Sequence, residues 1–210
     1  RLGTQPTRDA HMASCSYETC RLTGVTRRRE VAAARFYGEY HGHRVCDLES
    51  VHDHFAAISA ANGAERPETI FFIGDSTLDN KFWHWGKVDP HASGPVPLEW
   101  GLHTGITAED FAGHDDFIGD AVNGYETVLQ PPRMVKDVAY WMNALAAERF
   151  GPGRVVTING AVEESTVADR NTGLLPPDAF VRDRLTAKDT VVVSLGGNDV
   201  AFKPTLKTVV

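Results

Sequence analysis

The chain has 210 residues, which fits one domain with a loose N-terminal extension, and its apolar share of 42% is enough to build a sizeable core. The formal net charge of -7 argues against a general nucleic-acid binder, and no apolar run approaches the ~20 residues of a membrane helix. Cys15, Cys20 and Cys46 make an odd count that defines no disulfide framework and leans towards a reducing compartment.

Residues 1–30 are polar and rich in Arg and Thr, with Arg27-Arg28-Arg29 as a solvated charge cluster, and are expected to be irregular. The extension runs to residue 66. Within it, His54-Phe55-Ala56-Ala57-Ile58-Ser59-Ala60-Ala61 has good helix formers and ends at Asn62-Gly63, a C-cap signal. Just before lie His41, His43, Cys46, Asp47, His52, Asp53 and His54. His-x-His pairs on a strand can share a metal ion, but this spacing matches no standard zinc pattern. These are expected to be polar surface histidines, with no metal and no cofactor.

Ile70-Phe71-Phe72-Ile73 reads as a buried strand of a parallel sheet, starting at 69 and ending at Gly74. Ser76 then stands at the carboxyl end of that strand, where open α/β sheets place their ligands. A serine on such a turn has the exposure a nucleophile needs; the ordinary alternative is a helix N-cap. Phe82-Trp83-His84-Trp85 could line an acyl or sugar pocket, or fill the core beside the strand. Residues 86–118, rich in Gly, Pro, His and acids, form a long insertion with little periodicity, and Asn123-Gly124 marks a turn. Pro131-Pro132 opens an amphipathic helix. Met134, Val135, Val138, Trp141, Met142 and Leu145 form its sheet-facing stripe, and Gly151-Pro152-Gly153 ends it.

Arg154 to Ala161 is a second strand and its exit, and Glu163-Glu164-Ser165-Thr166 starts a polar helix. Asp178 to Leu185 is a short helix with Phe180, Val181 and Leu185 on one face, and 190–195 is a third strand. Strands alternating with helices imply a parallel sheet with right-handed crossovers.

Two short blocks carry chemistry. Gly74-Asp75-Ser76 closes the first strand, and Gly196-Gly197-Asn198-Asp199 closes the third. Together they resemble the first and third blocks of the GDSL-type esterases and lipases, the SGNH hydrolase family, over about residues 69–200. The resemblance implies a three-layer α/β/α, flavodoxin-like fold with a parallel sheet over residues 67–210, incomplete at its C-terminal end. It assigns Ser76 as nucleophile. Its oxyanion hole would be the Ser76 N–H, the Asn198 side-chain amide and an N–H from the second block. That block is usually Asn-x-Gly. Here it reads Asn159-Gly160-Ala161, so Gly160 is the glycine while Ala161 holds the matching position, and both stay open. Asp75 and Asp199 would brace their turns. The family takes its acid and base from a later Asp-x-x-His, absent after Asn198 and expected beyond Val210.

The implied function is a serine hydrolase of carboxylic esters, acting on a small-molecule, glycan or lipid ester. The alternatives are a non-catalytic glycan- or lipid-binding protein, using Phe82–Trp85, and an acyltransferase.

Overall fold

The computed structural model describes residues 30–85, 106–113 and 116–201. The Arg27–Arg29 cluster, most of the 86–118 insertion and everything after residue 201 therefore lie outside the described residues. The fold is mixed α/β. Its centre is a parallel sheet of three strands, β2 (Glu68–Gly74), β6 (Val155–Asn159) and β7 (Thr190–Ser194), in the order β6-β2-β7. The register sets Phe71 beside Ile158 and Val191, and Gly74 beside Ser194. The apolar run of β2 suits the central place, flanked on both sides, while β6 and β7 lie at the edges of the described sheet and Val193 of β7 is 60% exposed.

Successive side chains of β2 point to opposite faces, and each face meets different helices. Phe71 joins Leu48, Val51 and Phe55 of α2 (Val45–Ala61) and Phe180 and Val181 of α6 (Pro176–Arg184). Phe72 joins Leu78, Ala161 and Ala139 of α5 (Val138–Phe150). The remaining strands are short: β1 (Val31–Ala32) runs parallel to β4 (Leu129–Gln130), and β3 (Ile118–Asp120) antiparallel to β5 (Arg133–Val135).

Several sequence expectations are corrected here. The helix expected from residue 54 begins nine residues earlier, at Val45. The histidines around it are not surface groups: His43, His52 and His54 are buried. His43 Nδ1 donates to the Phe36 carbonyl at 2.6 Å, and its ring stacks on Phe36. Cys46, in the first turn of α2, is disulfide-bonded, so the odd cysteine count did not exclude a bridge, and its hint of a reducing compartment falls away. Part of the 86–118 insertion is ordered into α4 (Ala108–Ala112), whose Phe111 is buried in the main core.

Pro131-Pro132 does not open a helix. The Gln130–Pro131 bond is cis, β5 follows, and α5 starts only after Asp137, whose carboxylate caps the Tyr140 N–H at 2.8 Å. Met134 and Val135 are buried as strand residues, while Trp141 and Leu145 are 54% and 60% exposed. The face that α5 turns inward carries Ala139, Asn143 and Ala146. Small residues allow close approach, and Asn143 uses it. Its Oδ1 accepts the Thr157 N–H at 2.9 Å and its Nδ2 donates to the Thr157 carbonyl at 3.0 Å, as a neighbouring strand would. Asn123 Nδ2 and Tyr125 Oη add bonds to the Val155 and Thr157 carbonyls. The free edge of β6 is thus closed by side chains, which removes a template for unwanted strand pairing.

Candidate functional site

At the carboxyl end of the sheet β2 and β7 run so close that a side chain at position 74 is impossible. A Cβ on Gly74 would lie 2.3 Å from the Ser194 carbonyl oxygen. The Asp75 N–H then donates to that same oxygen at 3.0 Å. The chain folds straight into a turn, with the Leu78 and Asp79 N–H groups donating to the Asp75 carbonyl. Asp75 Oδ1 accepts the Thr77 N–H at 3.0 Å, so the bracing carboxylate is Asp75, and Ser76 is not the cap. Ser76 is half-buried, and among the described residues neither its N–H nor its Oγ has a hydrogen-bond partner.

The second turn meets the first across the paired strands. A Cβ on Gly197 would sit 3.8 Å from Asp75 Oδ2. Asn198, buried in α7 (Gly197–Ala201), donates through Nδ2 to the Ser165 carbonyl at 3.1 Å, which leaves its second amide hydrogen. Asp199 braces the neighbouring loop by accepting the Val167 and Ala168 N–H groups at 2.9 and 3.3 Å.

Gly160 follows β6 directly. Its N–H donates to the Phe72 carbonyl at 2.9 Å, and the Ala161 N–H donates to Asn159 Oδ1 at 3.0 Å. Both candidate donors of the second block are therefore engaged within the fold, while Ser76 and Asn198 lie on adjoining turns. Residues 162–165 wrap round the first turn, with the Val162 N–H and Ser165 Oγ both donating to the Gly74 carbonyl.

Beside this rim lies a polar cluster that the sequence reading did not single out. Asp79 and Lys81 are wholly buried and ion-paired at 2.5 Å. Asp79 Oδ2 also accepts the Gly42 N–H at 2.7 Å and the Glu163 N–H at 2.8 Å, tying three chain segments together. Lys81 Nζ also donates to the Tyr40 carbonyl. Glu163 is only 2% exposed; its Oε1 accepts from Trp83 Nε1 at 3.2 Å, and its Oε2 has no partner among the described residues. Glu164 adopts a left-handed φ of 60° and accepts from Tyr40 Oη at 3.2 Å. In sequence, Glu163-Glu164 was indistinguishable from a solvated helix start, and no helix begins there.

Burial, reinforced by the Asp79 carboxylate, raises the Glu163 carboxyl from 4.5 to about 8, so it is neutral at pH 7. Folding thus favours the protonated form. The associated stability is complete below the unfolded value and is lost as pH rises through about 8. Glu163→Gln keeps the acceptor for Trp83 and removes the titration. In denaturant titrations it should gain on wild type by on the order of 2 kcal/mol between about pH 5 and about pH 9. A constant difference across that range would contradict a neutral Glu163. Burial likewise raises Asp137 to about 7 and lowers His43 to about 4.

The histidines whose side chains are described are committed elsewhere. His41 Nδ1 donates to the Glu163 carbonyl, His43 bonds the Phe36 carbonyl, His52 lies against Asp53 and His54 against Thr127 Oγ1. Among the described residues no cluster of His, Cys, Asp or Glu could hold a metal ion, and no helix is long and apolar enough to cross a membrane. A groove of about 830 Å³ opens at the amino ends of the strands, lined by Arg66, Phe150, Arg154 and Lys188, at the end of the sheet opposite Ser76. No protein-family model, no curated protein and no solved structure matches this chain.

Proposed function

We propose that the chain is a serine hydrolase of carboxylic esters with Ser76 as nucleophile. One observation carries the reading. Gly74-Asp75-Ser76 and Gly196-Gly197-Asn198-Asp199 adjoin at the carboxyl ends of two directly paired parallel strands. Ser76 Oγ would attack the ester carbonyl carbon while a base takes its proton. The tetrahedral oxyanion would be met by the Ser76 N–H and the free hydrogen of Asn198 Nδ2, each such donor being worth roughly 2.7–4 kcal/mol. Collapse expels the alcohol, which takes up the proton, and leaves an acyl group on Ser76 that water removes as the carboxylic acid.

Gly160 enters this reading through its turn, whose N–H groups donate to Phe72 and Asn159 in the state described. No histidine whose side chain is described bonds Ser76. The resemblance takes the base, with the carboxylate that orients it, from an Asp-x-x-His pair. The same proposal includes a three-layer, flavodoxin-like architecture, supported by the β6-β2-β7 order and by the helices on its two faces.

The test is covalent labelling of the full-length protein with a fluorophosphonate. Wild type should be labelled at Ser76 and should turn over an aryl ester; Ser76→Ala should lose both, with turnover falling by at least about 10³-fold. Absence of labelling and turnover in wild type would remove the hydrolase reading. A non-catalytic binding role is the second reading, favoured by the 64% exposure of Trp83. It would show as ligand binding that Ser76→Ala leaves intact, with no turnover in wild type.

A further inference from the structure

A buried knot of titratable side chains ties the chain together beside the Ser76 turn. Asp79, Glu163 and Asp137 are 0%, 2% and 1% exposed, and Lys81 and His43 are buried with them. Lys81 is the ammonium that faces all three carboxyls. Asp79 uses that charge, taking Lys81 Nζ and the Gly42 and Glu163 N–H groups. Glu163 also faces Tyr40, Glu164 and Trp83 of α3 (Lys81–Trp85), and its carbonyl accepts from His41. Asp137 faces Tyr37, Tyr125 and the Tyr140 N–H.

One ammonium balances one carboxylate. Glu163 Oε2 and Asp137 Oδ2 are buried with no partner among the described residues, so a negative charge on either would meet no donor there. A proton on each carboxyl removes that cost. Burial raises Glu163 to about 8 and Asp137 to about 7, and burial followed by the Lys81 charge holds His43 down at about 4. Between about pH 4 and about pH 7 the knot therefore carries no net charge.

The knot is also a joint. Asp79 holds the Glu163 N–H, and Asn80 beside it accepts the Val138 N–H, next to Asp137, at 3.2 Å. The 160–165 loop in turn grips both turns of the rim. The Val162 N–H and Ser165 Oγ bond the Gly74 carbonyl, and the Ser165 carbonyl accepts from Asn198 Nδ2. Glu164, at its left-handed φ of 60°, is the strained point of that loop and the place where it yields first.

We propose that Asp79, Lys81, Glu163 and Asp137 form a proton-held latch, which is shut while two of the three carboxyls keep their protons and releases the 160–165 loop from the Ser76 turn when they lose them. Each lost proton sets a further carboxylate against Asp79 with no second ammonium to meet it. Both groups have raised values, so their stabilisation is complete at acid pH and is lost as pH rises, through about 7 for Asp137 and about 8 for Glu163. His43 has the opposite sign and acts only as pH falls through about 4. The latch itself does not depend on the hydrolase reading.

The experiment is hydrogen exchange of the full-length protein followed by mass spectrometry at about pH 6 and about pH 9, with protection corrected for the intrinsic exchange rate. Protection of the 160–165 amides should fall about tenfold or more at the higher pH, while the amides of residues 70–73 in β2 keep theirs. The Asp137→Asn, Glu163→Gln double variant imitates the protonated carboxyls and should keep the loop protected at both pH values. Equal wild-type protection at both pH values, an equal fall in the double variant, or a fall shared by β2 would each overturn the latch. If the double variant does not fold, carbon-13 NMR of the wild-type carboxyl carbons decides instead: two carboxyls must titrate above about pH 6, and their absence would overturn the latch. Exchange reads the loop without the nucleophile, so a failed latch leaves the Ser76 labelling result standing, and failed labelling leaves the latch standing.

Discussion

Lys81→Met should cost about 3–5 kcal/mol of folding stability and lower Tm by roughly 10 °C. The side chains of Lys81 and Asp79 are both fully buried, and each is the other's counter-ion. Removing the ammonium leaves the Asp79 carboxylate in a site of low polarity, with the Gly42 and Glu163 N–H groups as its remaining partners. Those two bonds offset part of an isolated charge but not all of it. The effect should be largest near neutral pH, where an unpaired carboxylate must either stay charged at high cost or take up a proton. Asp79→Asn in the Lys81→Met background should recover part of the loss, because the amide oxygen can still accept from the main chain without a charge. The check is urea unfolding of wild type, the single variant and the double variant at pH 7. A single variant within about 0.5 kcal/mol of wild type would mean that the ion pair is energetically idle.

The consequence would reach the Ser76 rim. Asp79 holds Gly42, Lys81 and Glu163 at once, so loosening it frees the 160–165 loop that wraps the nucleophile's turn. Fluorophosphonate labelling of Lys81→Met at a temperature where it is still folded should therefore be slower than that of wild type.

Gly74→Ala should cost roughly 3 kcal/mol or more, for a steric reason. The obstacle at 2.3 Å is a main-chain oxygen, Ser194 O, which belongs to the paired strand and cannot rotate away as a side chain could. The strands must separate at the point where the Asp75 N–H bonds that same oxygen. The ladder would open at the turn carrying Ser76, so soluble expression and phosphonate labelling should fall together. Gly160→Ala is a milder comparison: its Cβ would meet the Phe72 carbonyl at 3.0 Å and Val181 Cγ2 at 3.2 Å, and the valine can yield. Equal stability of Gly74→Ala and wild type in thermal unfolding would show that the strands are less closely held than the geometry states.

Much of the frame could be read from the residues alone. The runs around Phe71, Ile158 and Val192 are short, apolar and bounded by Gly or Asn, and all three became paired parallel strands within one or two residues of their expected ends. Asp199 reaches across to the Val167 and Ala168 N–H groups of another loop, whereas Asp75 became the brace of its own turn, because a short carboxylate beside free N–H groups satisfies them locally. Local chemistry is sufficient for such features.

What tertiary structure decided was which polar groups are buried and which apolar ones are not. Glu163 reads as a solvated acid until Asp79, 84 residues away, captures its N–H and Trp83 its carboxyl. His43, just before α2, and His52 and His54 within it read as surface groups until Phe36, Phe71 and Thr127 close over them. Trp141 and Leu145 read as core, yet the inward face of α5 went to Ala139, Asn143 and Ala146, because the β6 edge needed hydrogen bonds more than apolar cover. Periodicity reports how a segment divides its own surface. Whether a polar atom can leave water depends on a partner that only the folded chain brings to it.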